Sequence, residues 1–341
     1  MSWIARRCDR FTASMIEREE FKTRSIAWVD QTNGVPREST IILQNKNGPC
    51  SLVALANILI LRAPIDAPSP LSTLSSSRSS ISTEDLLHRL GDALLSTNPD
   101  ALGDSPESVF AVLPNLISGM TINPRFESHD TFETTPEIKV CRNFFIDLVH
   151  GWLPSPEDPA YESLLYCASY ENATRQIMDE SPRAPALRTF LEAWPTQLTD
   201  YGVSVLHARL APGSLSMFFR NDHFATLYKH PQSGQLFLFV TDEGYLRSGV
   251  VWESLSDVAG RKTDLYTAEF SPVGFSEDAR EDADFQLARH LQEQQDAIQA
   301  QEMSSTSRPY IFREKKSKKE RENSANTGAI TSVKVKKCVI S

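Results

Sequence analysis

Residues 44–50 read Gln44-Asn45-Lys46-Asn47-Gly48-Pro49-Cys50 and lead into an apolar run from Leu52 to Leu61. Glycine and proline favour a turn, and proline favours the first turn of a helix, so we predict a loop followed by a helix that begins near Cys50. A helix N-terminus favours the thiolate form of a cysteine, and the side-chain amide of Gln44 can donate to a developing oxyanion. The stretch is typical of a cysteine hydrolase. The alternative is that Cys50 is a small buried core residue.

The composition sets limits on the class of protein. A chain of 341 residues, 40% of them hydrophobic, has room for one large or two modest domains with a proper core. Its five cysteines are odd in number and widely spaced, which predicts neither a disulfide framework nor a zinc site. We therefore expect a cytoplasmic protein without metal or cofactor. The longest apolar run is too short for a membrane-spanning helix, and no signal peptide is recognisable at the start.

Charge is distributed unevenly along the chain. Residues 313–341 contain nine Lys or Arg and three Glu, a net charge of +6, whereas residues 1–312 carry −15. The acidic body argues against a nucleic-acid partner. The basic tail suits an anionic membrane surface.

The first part of the chain predicts two short strands and a loop. Residues 25–29 and 40–43 are mostly apolar or β-branched and flank a turn signal at Asn33-Gly34. Residues 63–82 are rich in proline and serine, so we expect a solvated loop there, followed by a helix that starts at Thr83.

A second element with chemical groups lies far downstream. Residues 215–228 and 235–242 predict the two strands of a hairpin. If residues 231–234 form its loop, directly opposed residues have numbers that add to 465, which places Asp242 opposite His223. A carboxylate or hydroxyl beside an imidazole fixes the tautomer of a general base. A different loop length would place Thr241 or another residue there.

Two alternatives to a catalytic His223 remain open at this point. The residue can be a histidine of the sheet with a structural hydrogen bond. His150 can compete for the role of base, although its neighbours Gly151, Trp152 and Pro154 favour a structural corner.

Several separate blocks of sequence occur together in one order and resemble the MINDY family of deubiquitinases over about residues 25–271. The blocks are Gln44-Asn45-Lys46-Asn47-Gly48-Pro49-Cys50, His150-Gly151-Trp152-Leu153, Phe218-Phe219-Arg220-Asn221-Asp222-His223-Phe224, Val240-Thr241-Asp242-Glu243-Gly244-Tyr245-Leu246 and Val251-Trp252-Glu253-Ser254-Leu255. Such a set is far more specific than a lone cysteine or histidine. The chain departs from the family pattern at Lys46, where an acidic or small residue is usual, at Ser51, where proline is typical, and in the serine-rich insertion.

The resemblance implies an α+β, papain-like cysteine-protease fold that cleaves polyubiquitin, with preference for chains joined through lysine 48 of ubiquitin. It implies Cys50 as nucleophile, His223 as base and Gln44 as oxyanion donor. It also indicates Thr241, beside Asp242, as a residue close to the site.

Residues 278–301 predict one polar, amphipathic helix at the C-terminal side of this domain. The order of its acidic and apolar residues resembles an inverted ubiquitin-interacting motif, in which a small alanine contacts the apolar patch of ubiquitin. The alternative is a terminal helix docked on the domain, or a short coiled coil. The contact residues that the resemblance implies are Asp284, Leu287, Ala288, Leu291 and Gln292.

The tail predicts a lipid anchor. Residues 302–341 are basic and predicted to be disordered, and they end in Cys338-Val339-Ile340-Ser341, the pattern that farnesyltransferases recognise. We therefore expect a catalytic domain over residues 24–272, preceded by an N-terminal extension (1–23) and followed by the helix and the tail.

The predicted protein is a monomeric isopeptidase whose partners are polyubiquitin chains and ubiquitinated proteins, and whose tail associates with membranes. Two alternative functions are a catalytically silent ubiquitin-binding adaptor and another Cys–His acyl-transfer enzyme.

Overall fold

The computed structural model describes residues 20–32, 34–45, 48–63, 69–74, 79–97, 112–117, 119–260 and 263–273. These residues contain nine β-strands and seven α-helices, which confirms the prediction of a mixed α and β architecture. The predicted helix over 278–301 and the tail lie outside the described residues.

The first sheet has three strands in the order β2-β1-β3, formed by β1 (Glu20–Asp30), β2 (Val35–Ile42) and β3 (Ser80–Ser82). The predicted turn between β1 and β2 is present, and Gly34 has a φ of +68° there, a value that glycine adopts without strain. β1 begins earlier than predicted because its first residues pair with β3, as in the pair Phe21–Ile81.

The proline- and serine-rich stretch is not simply a solvated loop. Ser80–Ser82 is a strand, and Leu71 and Leu74 are buried in the main core. The expectation is wrong for these residues, because burial of a few leucines and pairing with β1 outweigh the polar composition around them.

The second sheet has six strands, and all neighbours are antiparallel except β4 and β5, which are parallel. The strands lie in chain order: β4 (Leu148–His150), β5 (Leu215–Arg220), β6 (His223–Lys229), β7 (Leu236–Phe239), β8 (Trp252–Ser254) and β9 (Leu265–Tyr266).

The predicted strand over residues 215–228 is in fact two strands. Asn221 and Asp222 have φ values of +52° and +55° and form a two-residue turn, closed by the pair Arg220–His223. Asn and Asp tolerate positive φ better than other residues with a side chain, and two successive positive values are typical of the type I′ hairpin. His223 therefore begins β6.

The hairpin of β6 and β7 has the predicted register. Leu227 pairs with Leu238 and Tyr228 with Phe237, so the numbers add to 465. Among the described residues, however, this ladder ends at Leu227–Leu238 and the predicted pairing of Asp242 with His223 is wrong. Beyond β7 the chain pairs with other segments instead: Val240 N–H donates to Val251 O.

Helix α1 (Cys50–Arg62) packs against β2, β5 and β6, and nearly all of its side chains are buried. A helix that is apolar on every side belongs in the interior. At its C-terminal end, Arg62 donates to Phe145 O, just before β4.

Asn57 is the polar residue that joins α1 to the first sheet. It is fully buried, its Oδ1 accepts from Ile42 N–H at 2.9 Å, and its Nδ2 donates to Ile42 O at 2.8 Å. The side-chain amide thus pairs with the end of β2 as a neighbouring strand would.

Six further helices complete the described fold, and three of them, α4 to α6, form a separate apolar cluster with Phe126 and Trp152. In the described residues, no helix has both the length and the apolar character needed to cross a bilayer. The helices are α2 (Thr83–Thr97), α3 (Pro136–Asn143), α4 (Tyr161–Cys167), α5 (Tyr170–Met178), α6 (Ala184–Ala193) and α7 (Asp200–Arg209).

We predict that Asn57→Ala lowers the free energy of unfolding by about 2–5 kcal/mol, because it leaves both polar groups of Ile42 buried without their partner. Denaturant unfolding measures the change. The control is Asn172→Ala, since Asn172 is partly buried and makes one bond, to Cys167 O at 3.1 Å. Its loss should stay within about 1 kcal/mol. Equal losses in the two variants would contradict the role given to Asn57.

Candidate active site

Cys50 is the first residue of α1. Pro49 precedes it as the N-cap residue, and Val53 N–H donates to Pro49 O at 3.1 Å, which starts the helical ladder. The boundary lies where the glycine and proline predict it. The first turn of a helix presents N–H groups without intrahelical acceptors and the positive end of the dipole, an environment that favours a thiolate. Cys50 is only 4% exposed.

The loop before Cys50 is tightened by Gln44. Its Nε2 donates to Gly48 O at 3.0 Å, and Gly48 N–H donates back to Asn45 O at 2.9 Å. A Cβ atom on Gly48 would lie 3.2 Å from Asn45 O, so this close turn has little room for a larger residue. The Gln44 side chain is thereby bonded to Gly48, two residues before the helix starts. Its nitrogen carries a second hydrogen that can be donated to another acceptor.

Gln44 also connects the cysteine loop to the second sheet. Its backbone N–H donates to Thr241 O at 2.7 Å, and Gln44 and Asp242 form a parallel β-bridge. The segment that follows β7 therefore lies beside the loop that precedes Cys50. The sequence placed Thr241 and Asp242 near the site but did not indicate this backbone pairing.

His223 lies at the same end of the fold as Cys50. The C-terminal end of α1 contacts the residues before β4, β4 is parallel to β5, and β6 is antiparallel to β5. Hence α1 and β6 begin at the same end. One buried contact supports this direction: Thr226, three residues into β6, donates to Ala54 O, one turn into α1, at 3.3 Å.

Asp242 is occupied as a local cap. Its Oδ1 accepts from Gly244 N–H at 2.6 Å at the start of the 3-10 helix Glu243–Tyr245, and the residue is exposed. Thr241 is partly buried. Thr241 and Asp242 are the two alternatives for the residue that orients His223. In the structure the Asp242 carboxylate caps the 3-10 helix instead.

Two residues of β1 hold the loop that follows Asp242. Arg24, 9% exposed, donates to Tyr245 O at 2.6 Å and to Val250 O at 2.7 Å, and burial lowers its pKa. Lys22 forms an exposed ion pair with Glu243 at 2.8 Å. This contact was not predicted, because β1 carries several other polar residues and the sequence does not distinguish Arg24 from them.

His150 is a structural residue. It is fully buried in β4, its ring contacts Phe132 edge-on at 4.9 Å, and its Nδ1 accepts from Trp152 N–H at 3.2 Å. Burial lowers its pKa to about 4, so the imidazole is neutral at pH 7. These contacts favour the structural role that the neighbours of His150 predicted over the role of catalytic base.

Ser51, where proline is typical of the family, makes a specific contact. It is fully buried and its hydroxyl donates to Leu116 O at 3.0 Å, which ties the first turn of α1 to the 3-10 helix Leu113–Leu116. Lys46, the other departure beside the cysteine, lies outside the described residues.

A cysteine at a helix N-terminus, an amide in the loop that precedes it and a histidine at the start of an adjacent strand are the parts of a Cys–His hydrolase. The family model for the MINDY deubiquitinase matches residues 19–270, and the chain belongs to this family.

Curated relatives show the same similarity. The chain is 37% identical over 241 residues to ubiquitin carboxyl-terminal hydrolase MINDY-1 of Danio rerio, which covers 66% of this chain and 45% of the relative. It is 37% identical over 270 residues to ubiquitin carboxyl-terminal hydrolase MIY1 of Saccharomyces cerevisiae, with coverage of 74% and 72%. The match spans about half the length of MINDY-1 proteins, as in Bos taurus at 49%.

Proposed function

We propose that this protein is a thiol-dependent deubiquitinase with a papain-like core that hydrolyses isopeptide bonds in polyubiquitin. Two observations support the proposal. The loop that leads into α1 pairs through Gln44 with the segment after β7, and β6 begins at the same end of the fold as α1. Membership of the MINDY family gives the substrate class.

The proposed chemistry assigns one step to each residue. The thiolate of Cys50 attacks the carbonyl carbon of the isopeptide bond, and the Gln44 amide donates to the oxyanion. His223 takes the thiol proton and gives it to the departing lysine amine as the carbon–nitrogen bond breaks. Water, deprotonated by His223, then attacks the thioester, which releases the ubiquitin carboxylate and restores the thiol.

A silent ubiquitin-binding adaptor is the second candidate, because Cys50 is 4% exposed and an isopeptide carbonyl must reach its sulfur. Catalysis requires the residues around Cys50 to move aside when substrate binds.

We predict that the full chain cleaves ubiquitin chains, lysine-48-linked ones fastest, and that Cys50→Ala abolishes cleavage while the protein stays folded. A panel of differently linked chains measures this. The control is Cys167→Ala, since Cys167 is buried in the separate cluster of α4 to α6 and should leave cleavage intact. Cleavage by Cys50→Ala would refute the assignment of the nucleophile. Binding of chains without cleavage would favour the adaptor, and cleavage of small esters alone would favour another acyl-transfer enzyme.

We further propose that Thr241, and not Asp242, orients His223. Thr241→Ala should lower turnover by up to about 100-fold, the scale of a misplaced catalytic group. Asp242→Ala should lower the free energy of unfolding by about 1 kcal/mol, the value of a lost cap, and leave turnover within about twofold. Steady-state kinetics and thermal unfolding of both variants measure these effects. A larger loss of turnover in Asp242→Ala would reverse the assignment.

The C-terminal segments lie outside the described residues, and their roles are proposals from the sequence. Residues 278–301 would bind ubiquitin through Asp284, Leu287, Ala288, Leu291 and Gln292. One short helix binds weakly, so its contribution would be to raise the effective concentration of a chain already at the catalytic domain. We propose that the protein acts as a monomer in the cytoplasm and at membranes.

Farnesylation of Cys338 would supply the membrane anchor. A prenyltransferase recognises this pattern only at a carboxyl terminus, so the proposal holds for a protein that ends at Ser341. One lipid gives reversible binding, and the lysines of residues 313–341 would add about 1 kcal/mol each near an anionic membrane.

We predict that Cys338→Ser moves the protein from membranes to the cytosolic fraction while cleavage of free chains stays the same. Fractionation of eukaryotic cells and intact mass spectrometry measure this. A mature chain that retains Val339-Ile340-Ser341 without a prenyl group would refute the anchor.

A further inference from the structure

The position of His223 depends on the turn immediately before it. Asn221 and Asp222 both have positive φ, and the pair Arg220–His223 closes the hairpin. The turn itself is exposed. A two-residue turn without further support leaves the first residue of a strand free to fray, which a general base cannot tolerate, because proton transfer requires hydrogen-bond distance.

Gln197 supplies that support through two hydrogen bonds to Asp222. Its Nε2 donates to Asp222 Oδ1 at 2.9 Å, and its Oε1 accepts from Asp222 N–H at 2.7 Å. The amide therefore contacts both the side chain and the backbone of the residue next to His223. Two bonds in this arrangement define an orientation as well as a distance.

The backbone of Gln197 is held in a conformation that costs free energy. Its φ is +56°, unusual for a residue with a long side chain, while the residue is only 8% exposed. A non-glycine residue in this region is strained and persists where the surroundings enforce it. Here an otherwise exposed turn is joined to a buried, strained residue.

The segment around Gln197 is itself fixed to the second sheet. Leu198 forms a parallel bridge with Gly151, just after β4, and Thr199 N–H donates to Gly151 O at 3.0 Å. A Cβ atom on Gly202, in the first turn of α7, would lie 1.8 Å from Gly151 O, so the two backbones touch. The backbone that follows Gln197 is therefore packed closely against Gly151, which fixes the position of Gln197.

We infer that Gln197 is a positioning residue for His223, which acts through Asp222 and does not touch substrate. The inference rests on the proposed function, in which His223 is the general base. A mispositioned base slows the chemical step and leaves substrate binding unchanged, so the effect belongs in kcat and not in KM.

The experiment exchanges the two partners of the bond in the full-length protein. Gln197→Glu places two carboxylates together and should lower kcat for lysine-48-linked di-ubiquitin by about 10- to 100-fold, with KM within about threefold. When Asp222→Asn is added, the new side-chain amide at position 222 can donate to the carboxylate at position 197. The double variant should therefore have a kcat within about threefold of wild type. The control is Gln232→Glu. Gln232 lies in the β6–β7 loop, and its side-chain amide also donates a hydrogen bond, to Gln31 O at 2.7 Å. The control variant should leave kcat unchanged.

A further variant protects the test against loss of folding. Asp222→Gly suits a positive φ, keeps the backbone N–H bond to Gln197 and removes the side chain that supplies the Oδ1 acceptor, so it should keep the protein folded while lowering kcat. An unchanged kcat in Gln197→Glu or in Asp222→Gly, or a double variant as slow as the single one, would overturn the role of Gln197 alone. A wild-type protein that cleaves no ubiquitin chain would overturn the proposed function, and this inference with it.

Discussion

The two hydrogen bonds between the Asn57 amide and the backbone of Ile42 are the constraint on which the site geometry depends. They set the position of α1 along β2, and the same strand continues into the loop that carries Gln44 and ends at Cys50. Apolar contacts alone would let a helix slide by a turn at little cost, because Leu, Ile and Val replace one another readily. A buried amide cannot slide without leaving polar groups unpaired. Asn57 therefore makes the otherwise apolar packing of α1 against β2 specific for one position.

The loops at the candidate site share one principle of construction, since each is hydrogen-bonded to a residue of another segment that is at least partly buried. Gln44 bonds to Thr241 O, Arg24 to the carbonyls after it, and Gln197 to the turn before His223. Loops near an active site have few apolar side chains to pack, and hydrogen bonds to a rigid framework replace that packing. The reacting groups can then be held accurately although they lie on loops and strand ends.

Much of this arrangement follows from local rules. Gly48 and Pro49 predict the start of α1, and counting residues across the 231–234 loop gives the correct register of β6 and β7. The turn at Asn221-Asp222 was missed because apolar residues continue on both sides of it. The partner of Asp242 was mispredicted because the ladder ends early and the chain pairs with Gln44 instead. Such contacts join residues that share no periodic pattern, so only the assembled fold reveals them.

The contact between Thr226 and Ala54 joins residues 172 positions apart. During synthesis from the N-terminus, the cysteine helix is complete long before the strand that bears the histidine has been made. A chain truncated before β6 therefore contains Cys50 but lacks both His223 and the strands that bury α1. The order of the sequence thus delays the assembly of the proposed site until most of the domain has been synthesised and can fold.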